Sequence, residues 1–130
     1  MVAQPLSCVL FRGMNSEELL RSMYAGFNAR DIDAVLAAMT EDVDWPNAWE
    51  GGRLRGHDAV RDYWTRQWAA IDPRVEPVAI EPGVSGRVVV DVDQVVRDLA
   101  GEVMASGRVV HVYEMRDGLV ARMDVEEPSQ

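Results

Sequence analysis

The sequence holds one cysteine, Cys8, among 130 residues, and a lone thiol cannot close a disulfide within the chain. A reduced, cytoplasmic setting is the expectation that follows. Histidine is almost as scarce: His57 and His111 are too few for a histidine-rich zinc site, and no cysteine or close carboxylate pattern completes one. Basic charge is sparse too. The 13 Lys plus Arg are scattered among 22 acids, for a formal charge of -9, which leaves no concentrated basic face for a nucleic-acid backbone or an anionic membrane. Residues 1–13 lack the basic start and long apolar core of a secretory signal or membrane span. Gly51, Gly52 and Gly56 do not have the spacing of a phosphate cradle, and Pro82-Gly83-Val84-Ser85-Gly86 reads as a turn between strands. Nothing requires a nucleotide, flavin or metal, so no cofactor is expected.

What is present begins with helical periodicity. Leu19, Leu20, Met23, Tyr24 and Phe27 recur three and four apart and line one side of a helix that Ser16 is placed to cap. Asn28-Ala29-Arg30-Asp31 breaks that run. Asp31 is then placed to cap a short second helix whose apolar stripe, Ile32, Val35, Leu36 and Met39, ends near Thr40. Pro46 keeps the residue before it out of the helical region, so Val43 and Trp45 predict a brief extended piece. Residues 49–56 read as a loop, and Asp58 opens a third helix carrying Val60, Tyr63, Trp64, Gln67, Trp68 and Ile71 at helical spacing. All four tryptophans fall between positions 45 and 68. Such a cluster either fills the gap between a curved sheet and its helices or walls a ligand pocket.

From Val75 onward the period becomes two. Pro77 suits an edge or bulged strand. Residues 87–97 form a long strand with Val88, Val90 and Val92 on one face, and the slip in pattern near Gln94 predicts a bulge. Residues 103–115 make another long strand, turned by Asp117-Gly118 into residues 119–126. Helices first and hairpinned strands afterwards predict an α+β domain, a curved antiparallel or mixed sheet wrapped on about three N-terminal helices. Residues 1–13 are read as an ordered N-terminal arm and 14–130 as a single domain. The apolar Val9-Leu10-Phe11 suits either an added edge strand or a subunit interface.

The order and spacing of Tyr24-x-x-x-Asn28-x-x-Asp31-Ile32-Asp33, Asp42-Val43-x-Trp45, Arg55-Gly56-His57-Asp58-Ala59-Val60-x-x-Tyr63-Trp64 and His111-Val112-Tyr113-x-Met115-Arg116-Asp117-Gly118 resemble the SnoaL-like branch of the nuclear transport factor 2 superfamily. The resemblance spans about residues 15–126. It implies a cystatin-like cone with a pocket at its wide end, and a homodimer packed through the outer sheet face. It does not imply one activity, because cyclases, a steroid isomerase, epoxide hydrolases and non-catalytic proteins share the fold. Laying the steroid isomerase's motifs on this chain puts Met23, Asn47 and Arg108 at its three active positions, where neither a phenol nor a titratable base remains. The epoxide-hydrolase pattern retains an amide at Asn47, beside Trp45. Its charged triad falls at Val92, Gln94 and Val125, one residue from Asp93 and Asp124 and therefore on the opposite face.

Three residues are the candidates for chemistry. Asp44 is either a solvent-facing strand residue or a pocket carboxylate among tryptophans. Asn47 offers an amide to a bound polar group. His111, flanked by Val109 and Tyr113 on one strand face, is either a satisfied core residue or a general acid or base, with Asp124 a diagonal neighbour at best. The residues expected to bind ligand are Met23, Tyr24, Phe27, Trp45, Trp49, Trp64, Trp68, Arg108 and Tyr113. Two function classes follow. One is a cofactor-independent enzyme acting by acid-base chemistry on a small, mostly apolar, oxygenated molecule; the other is a non-catalytic ligand-binding or dimeric accessory protein. A cavity of roughly 300 Å³ or more with convergent polar groups would favour a ligand site.

Overall fold

A computed structural model of the chain describes residues 15–128. The N-terminal arm expected at residues 1–13 lies outside that range. Helix α1 spans Ser16–Asn28. Its cap is Asn15 rather than Ser16: the Asn15 carboxamide oxygen accepts from the Glu18 amide at 2.8 Å, one residue earlier than the sequence pattern indicates. The helix stops in a Schellman arrangement. The amide of Asp31 donates to Gly26 O at 2.8 Å and that of Arg30 to Phe27 O at 3.0 Å. This closure puts Arg30 at φ 63, a conformation usually left to glycine. Its guanidinium is held there by Asp72, by Pro73 O at 2.7 Å and by the face of Trp68, 5.0 Å from the ring centroid.

Asp31 then caps helix α2, Ile32–Ala37, accepting from the Ala34 amide at 3.2 Å. The helix ends earlier than its apolar stripe suggests, because Met39 already belongs to strand β1, Met39–Pro46. Strand β2, Arg53–Arg55, lies inside the segment read as loop. Helix α3 runs His57–Ala70 and hands Ile71 to strand β3, Ile71–Pro82. Strands β4, Val88–Asp98, β5, Val103–Arg116, and β6, Leu119–Glu126, complete a six-stranded sheet in the order β2-β1-β6-β5-β4-β3. Only β1 and β6 run parallel. This is the expected α+β class, with three α-helices on a mixed sheet among the described residues.

Pro73, Pro77 and Pro82 sit on β3 at the sheet's edge, where a missing amide breaks no ladder. Asn28 shields part of that edge. Its Nδ2 donates to Val75 O at 2.6 Å and its Oδ1 accepts from the Val75 amide at 3.0 Å, as a neighbouring strand would. Gln94 itself pairs in register with both Val75 and Gly107; the irregularity expected near it falls two residues on, between Val96 and Arg97 with Met104 extra on β5, and a second lies on β3 between Pro77 and Ala79. The Asp117-Gly118 turn is as expected, with φ of 53 and 79, the two positive angles a type I′ hairpin requires.

The core lies between α1, α3 and the inner sheet face. Leu19, Leu20, Tyr24, Val60 and Trp64 meet Val43, Val90, Val92, Tyr113 and Val120 there. Val88 pairs with Tyr113 and Val92 with Val109, which puts Val88, Val90, Val109 and Tyr113 on one and the same face. That face is the one the helices cover, so these four residues give no reason for a dimer. Among the described residues no helix is long and apolar enough to cross a membrane.

Candidate functional site

The alternation of the strands and the stripe of α1 aim a set of large rings at one another. Strand β1 turns Val43 and Trp45 inward and Asp44 outward, β5 turns His111 and Tyr113 inward, and α1 lays Met23, Tyr24 and Phe27 over them. Trp45, His111, Tyr113, Met23, Tyr24 and Phe27, together with Trp64 and Gln67 from α3, Gln94 from β4 and Met123 and Val125 from β6, line a cavity of about 140 Å³. That is below the roughly 300 Å³ at which ligand pockets commonly begin. It matches the scale of an apolar cavity of about 150 Å³ that holds one benzene ring. The rings pack by edges: Trp45 meets Trp64 at 5.6 Å and 87°, and Phe27 meets Trp64 at 5.4 Å and 77°.

The polar groups converge where α1 crosses β5. Tyr24 Oη is 2.7 Å from His111 Nδ1 and 2.6 Å from the hydroxyl of Tyr113. The Tyr24 and His111 rings are nearly parallel, 5.9 Å between centroids. Burial pushes the His111 imidazole down to about 4, so it is neutral at pH 7, and the same burial raises the phenols of Tyr24 and Tyr113. His111 Nε2 has no protein partner among the described residues, yet it is not among the buried atoms sealed away without one. The His111 side chain lines the cavity, and Nε2 is the nitrogen left for a ligand. Nearer the mouth, Gln67 Nε2 donates to the Tyr63 hydroxyl at 3.1 Å. Among the described residues none of the lining side chains carries a formal charge.

The candidates for chemistry separate accordingly. His111 is at the cavity, with Met23, Tyr24, Phe27, Trp45, Trp64 and Tyr113. Asp44 is not: the pleat puts it on the outer face, where Arg53 Nε at 2.5 Å and Arg122 Nη1 at 2.9 Å hold its carboxylate. Asn47 is buried, but its side chain is spent on its own turn, accepting from the Glu50 amide at 2.8 Å and donating to Glu50 Oε1 at 3.1 Å. Arg108 pairs with Asp93 at 2.7 Å on the outer face, as its strand parity requires. Trp49 is 43% exposed in the loop beyond β1. Trp68 supports the wall from behind, stacked on Trp64 at 5.8 Å and 17°. His57 is a structural residue, its Nε2 3.1 Å from Met39 O.

Asp124 is turned from His111 by one residue. The hairpin pairs Met115 with Val120 but Glu114 with Arg122, so Ala121 is extra and His111 faces Val125. Asp124 then lies opposite Val112 on the outer face, bonded to Arg122 and Arg53, which hold its carboxyl below the usual range. Gln67, Gln94, Met123 and Val125 line the cavity without having been singled out for it. Their inward parity was readable, but not which stretch of each element overhangs the opening. Among the described residues no three potential metal ligands gather in one place.

A SnoaL-like domain matches residues 20–123. The chain belongs to this family. No curated protein matches this SnoaL-like chain, but solved structures do. TerC, co-crystallised with polyporic acid, is 29% identical, with 87% of this chain and 91% of TerC covered and a TM-score of 0.75. An NTF2-like protein of unknown function from Burkholderia pseudomallei is 26% identical over 88% and 91% of the two chains, also at 0.75. RV0760c from Mycobacterium tuberculosis, in complex with estradiol-17beta-hemisuccinate, shares the fold at 21% identity, with 83% and 89% covered and a TM-score of 0.71.

Proposed function

We propose that this SnoaL-like domain binds a small, mostly apolar molecule through one oxygen function, with a ring against Trp45, Trp64 and Phe27 and the oxygen toward His111. The observation that carries the reading is the Nε2 of His111, unpartnered among the described residues on the wall of an uncharged aromatic cavity, its other nitrogen tied to Tyr24. Such a site holds one polar atom and desolvates the rest of a ring. The cavity's size suits a single ring, with larger molecules reaching out through the mouth. The small molecules found with TerC and RV0760c support a ligand in this fold.

Cofactor-independent catalysis is the second reading, favoured by the same imidazole. An imidazole pushed down to about 4 is a weak base at neutral pH, so it would act by hydrogen-bonding to an oxygen and polarising it rather than by taking a proton from carbon. Asp44 and Asn47 have no part in either reading. The test is a thermal-shift screen of cyclic ketones, epoxides, lactones and aromatic polyketide fragments, followed by turnover assays on the hits with wild type and His111→Ala. Binding without turnover selects the binder; turnover lost in His111→Ala selects the enzyme.

We further propose a homodimer through the outer sheet face, supported by the apolar patch of Val89, Val110 and Val112 beside its charged rows. Light scattering at micromolar concentration that returned the monomer mass would reject it. The single cysteine suits a cytoplasmic setting.

A further inference from the structure

The hydrogen-bonded trio of Tyr24, His111 and Tyr113 has a direction, and proton accounting fixes it. Tyr113 is fully buried, and the Tyr24 oxygen is the one partner its hydroxyl has among the described residues. If Tyr24 donated to Tyr113, the Tyr113 proton would have no acceptor in a place that water does not reach. The Tyr113 hydroxyl therefore donates to Tyr24, and Tyr24 spends its own proton on His111 Nδ1. A neutral imidazole that accepts at Nδ1 carries its proton on Nε2. The groups packed around His111 do not disturb this order: Val90 and Val125 flank it on the neighbouring strands, and Tyr24 covers it from α1. Burial, which keeps the imidazole neutral, acts in the same sense.

We infer that the cavity recognises a neutral carbonyl compound, whose oxygen accepts a hydrogen bond from the Nε2–H of His111 while Tyr24 holds the ring in that tautomer. This rests on the ligand-binding reading above and narrows it: the oxygen function is a ketone, aldehyde or quinone oxygen rather than a hydroxyl. A hydroxyl placed at Nε2–H also accepts, but Val90 and Val125, which flank His111 on the neighbouring strands, offer its own proton no acceptor. Carboxylates and phenolates are disfavoured for a different reason, since no cationic side chain lines the cavity among the described residues. In this scheme Tyr24 is a positioning residue that acts through His111.

The experiment has two independent readouts. In ligand-free protein labelled with ¹⁵N-histidine, long-range proton–nitrogen correlations should show His111 protonated at Nε2 and unprotonated at Nδ1. A wild-type spectrum with the proton on Nδ1 overturns the inference whatever binds. The second readout is the affinity ratio of acetophenone to 1-phenylethanol, a ketone and alcohol of one shape, by calorimetry. Wild type should favour the ketone by about tenfold, the effect of one unpaired buried hydroxyl proton. Equal affinities, or a preference for the alcohol, overturn the carbonyl assignment and leave the site standing. Failure of both compounds to bind at millimolar concentration overturns the site reading itself, while the tautomer is still scored. Tyr113→Phe should keep the Nε2–H signature and the ketone preference, because Tyr24 still has Nδ1 as its acceptor. Tyr24→Phe should lose both, and a Tyr24 role confined to packing would leave the tautomer unchanged. If Tyr24→Phe fails to fold, the wild-type tautomer and ratio decide alone.

Discussion

Tyr24 on the first helix and His111 on the fifth strand are joined by a 2.7 Å contact between Oη and Nδ1, across 87 residues of chain. The contact ties the helical layer to the sheet at the wall of the cavity. Tyr24→Phe removes the oxygen that serves both His111 and Tyr113, leaving a buried phenol without a partner. A loss of about 1–3 kcal/mol in folding stability is expected, measured by urea denaturation. Tyr24→Phe/Tyr113→Phe should cost less than the sum of the single changes, because the second substitution removes the orphaned hydroxyl.

His111 also sets a pH dependence. Its imidazole lies at about 4 when folded against about 6.5 when unfolded. The unfolded chain therefore binds the proton first, so this contribution to stability is complete above about pH 6.5 and is lost as pH falls toward 4. The difference corresponds to about 3 kcal/mol over that window. Denaturation midpoints measured from pH 7 to pH 4 should fall in wild type and fall much less in His111→Phe. Parallel curves for the two proteins would show that other groups carry the acid sensitivity.

On the outer face, Asp44 is shared between Arg53 and Arg122. Asp44→Asn should weaken that cluster by about 1 kcal/mol or less, with the difference shrinking as salt is added. Affinity for any cavity ligand should be unchanged. A tenfold loss of ligand affinity in this variant would return Asp44 to the site.

Much of the fold was legible in local patterns. Apolar spacing marked the helices, Asp31 announced the start of α2, and Asp117-Gly118 announced the last hairpin. The site was legible only residue by residue. Trp45, Tyr24, His111 and Tyr113 each show an inward position, yet no local pattern says that α1 crosses β5 at position 111. Asp44 and Asn47 looked convergent because they flank Trp45 and Pro46. Strand parity turned the first outward, and an Asx turn consumed the side chain of the second. The bulge at Ala121 is another such case: one extra residue on β6 decides that Val125, and not Asp124, stands opposite His111.

The tryptophans divide by role. Trp64 is 2% exposed between Trp45, Phe27 and Trp68, so Trp64→Ala should cost about 3–5 kcal/mol. Trp49→Phe should change stability by about 0.5 kcal/mol or less. It should also leave intact any change in tryptophan emission on ligand binding, since that signal arises at Trp45 and Trp64. Loss of the signal in Trp49→Phe would place the ligand in the outer loop.

Substitution at Val125 tests whether the aromatic cavity is the binding site. It lines the opening opposite His111 and is 44% exposed, so a larger apolar side chain there can block the cavity with little strain on the core. The measurement is calorimetric titration of acetophenone into wild type and Val125→Phe, with thermal unfolding run on both. Loss of at least tenfold in affinity, with the unfolding transition of the variant retained, is the outcome expected from a ring seated against Trp45 and Trp64. Undiminished binding to a folded Val125→Phe protein would contradict it and put the ligand elsewhere on the molecule.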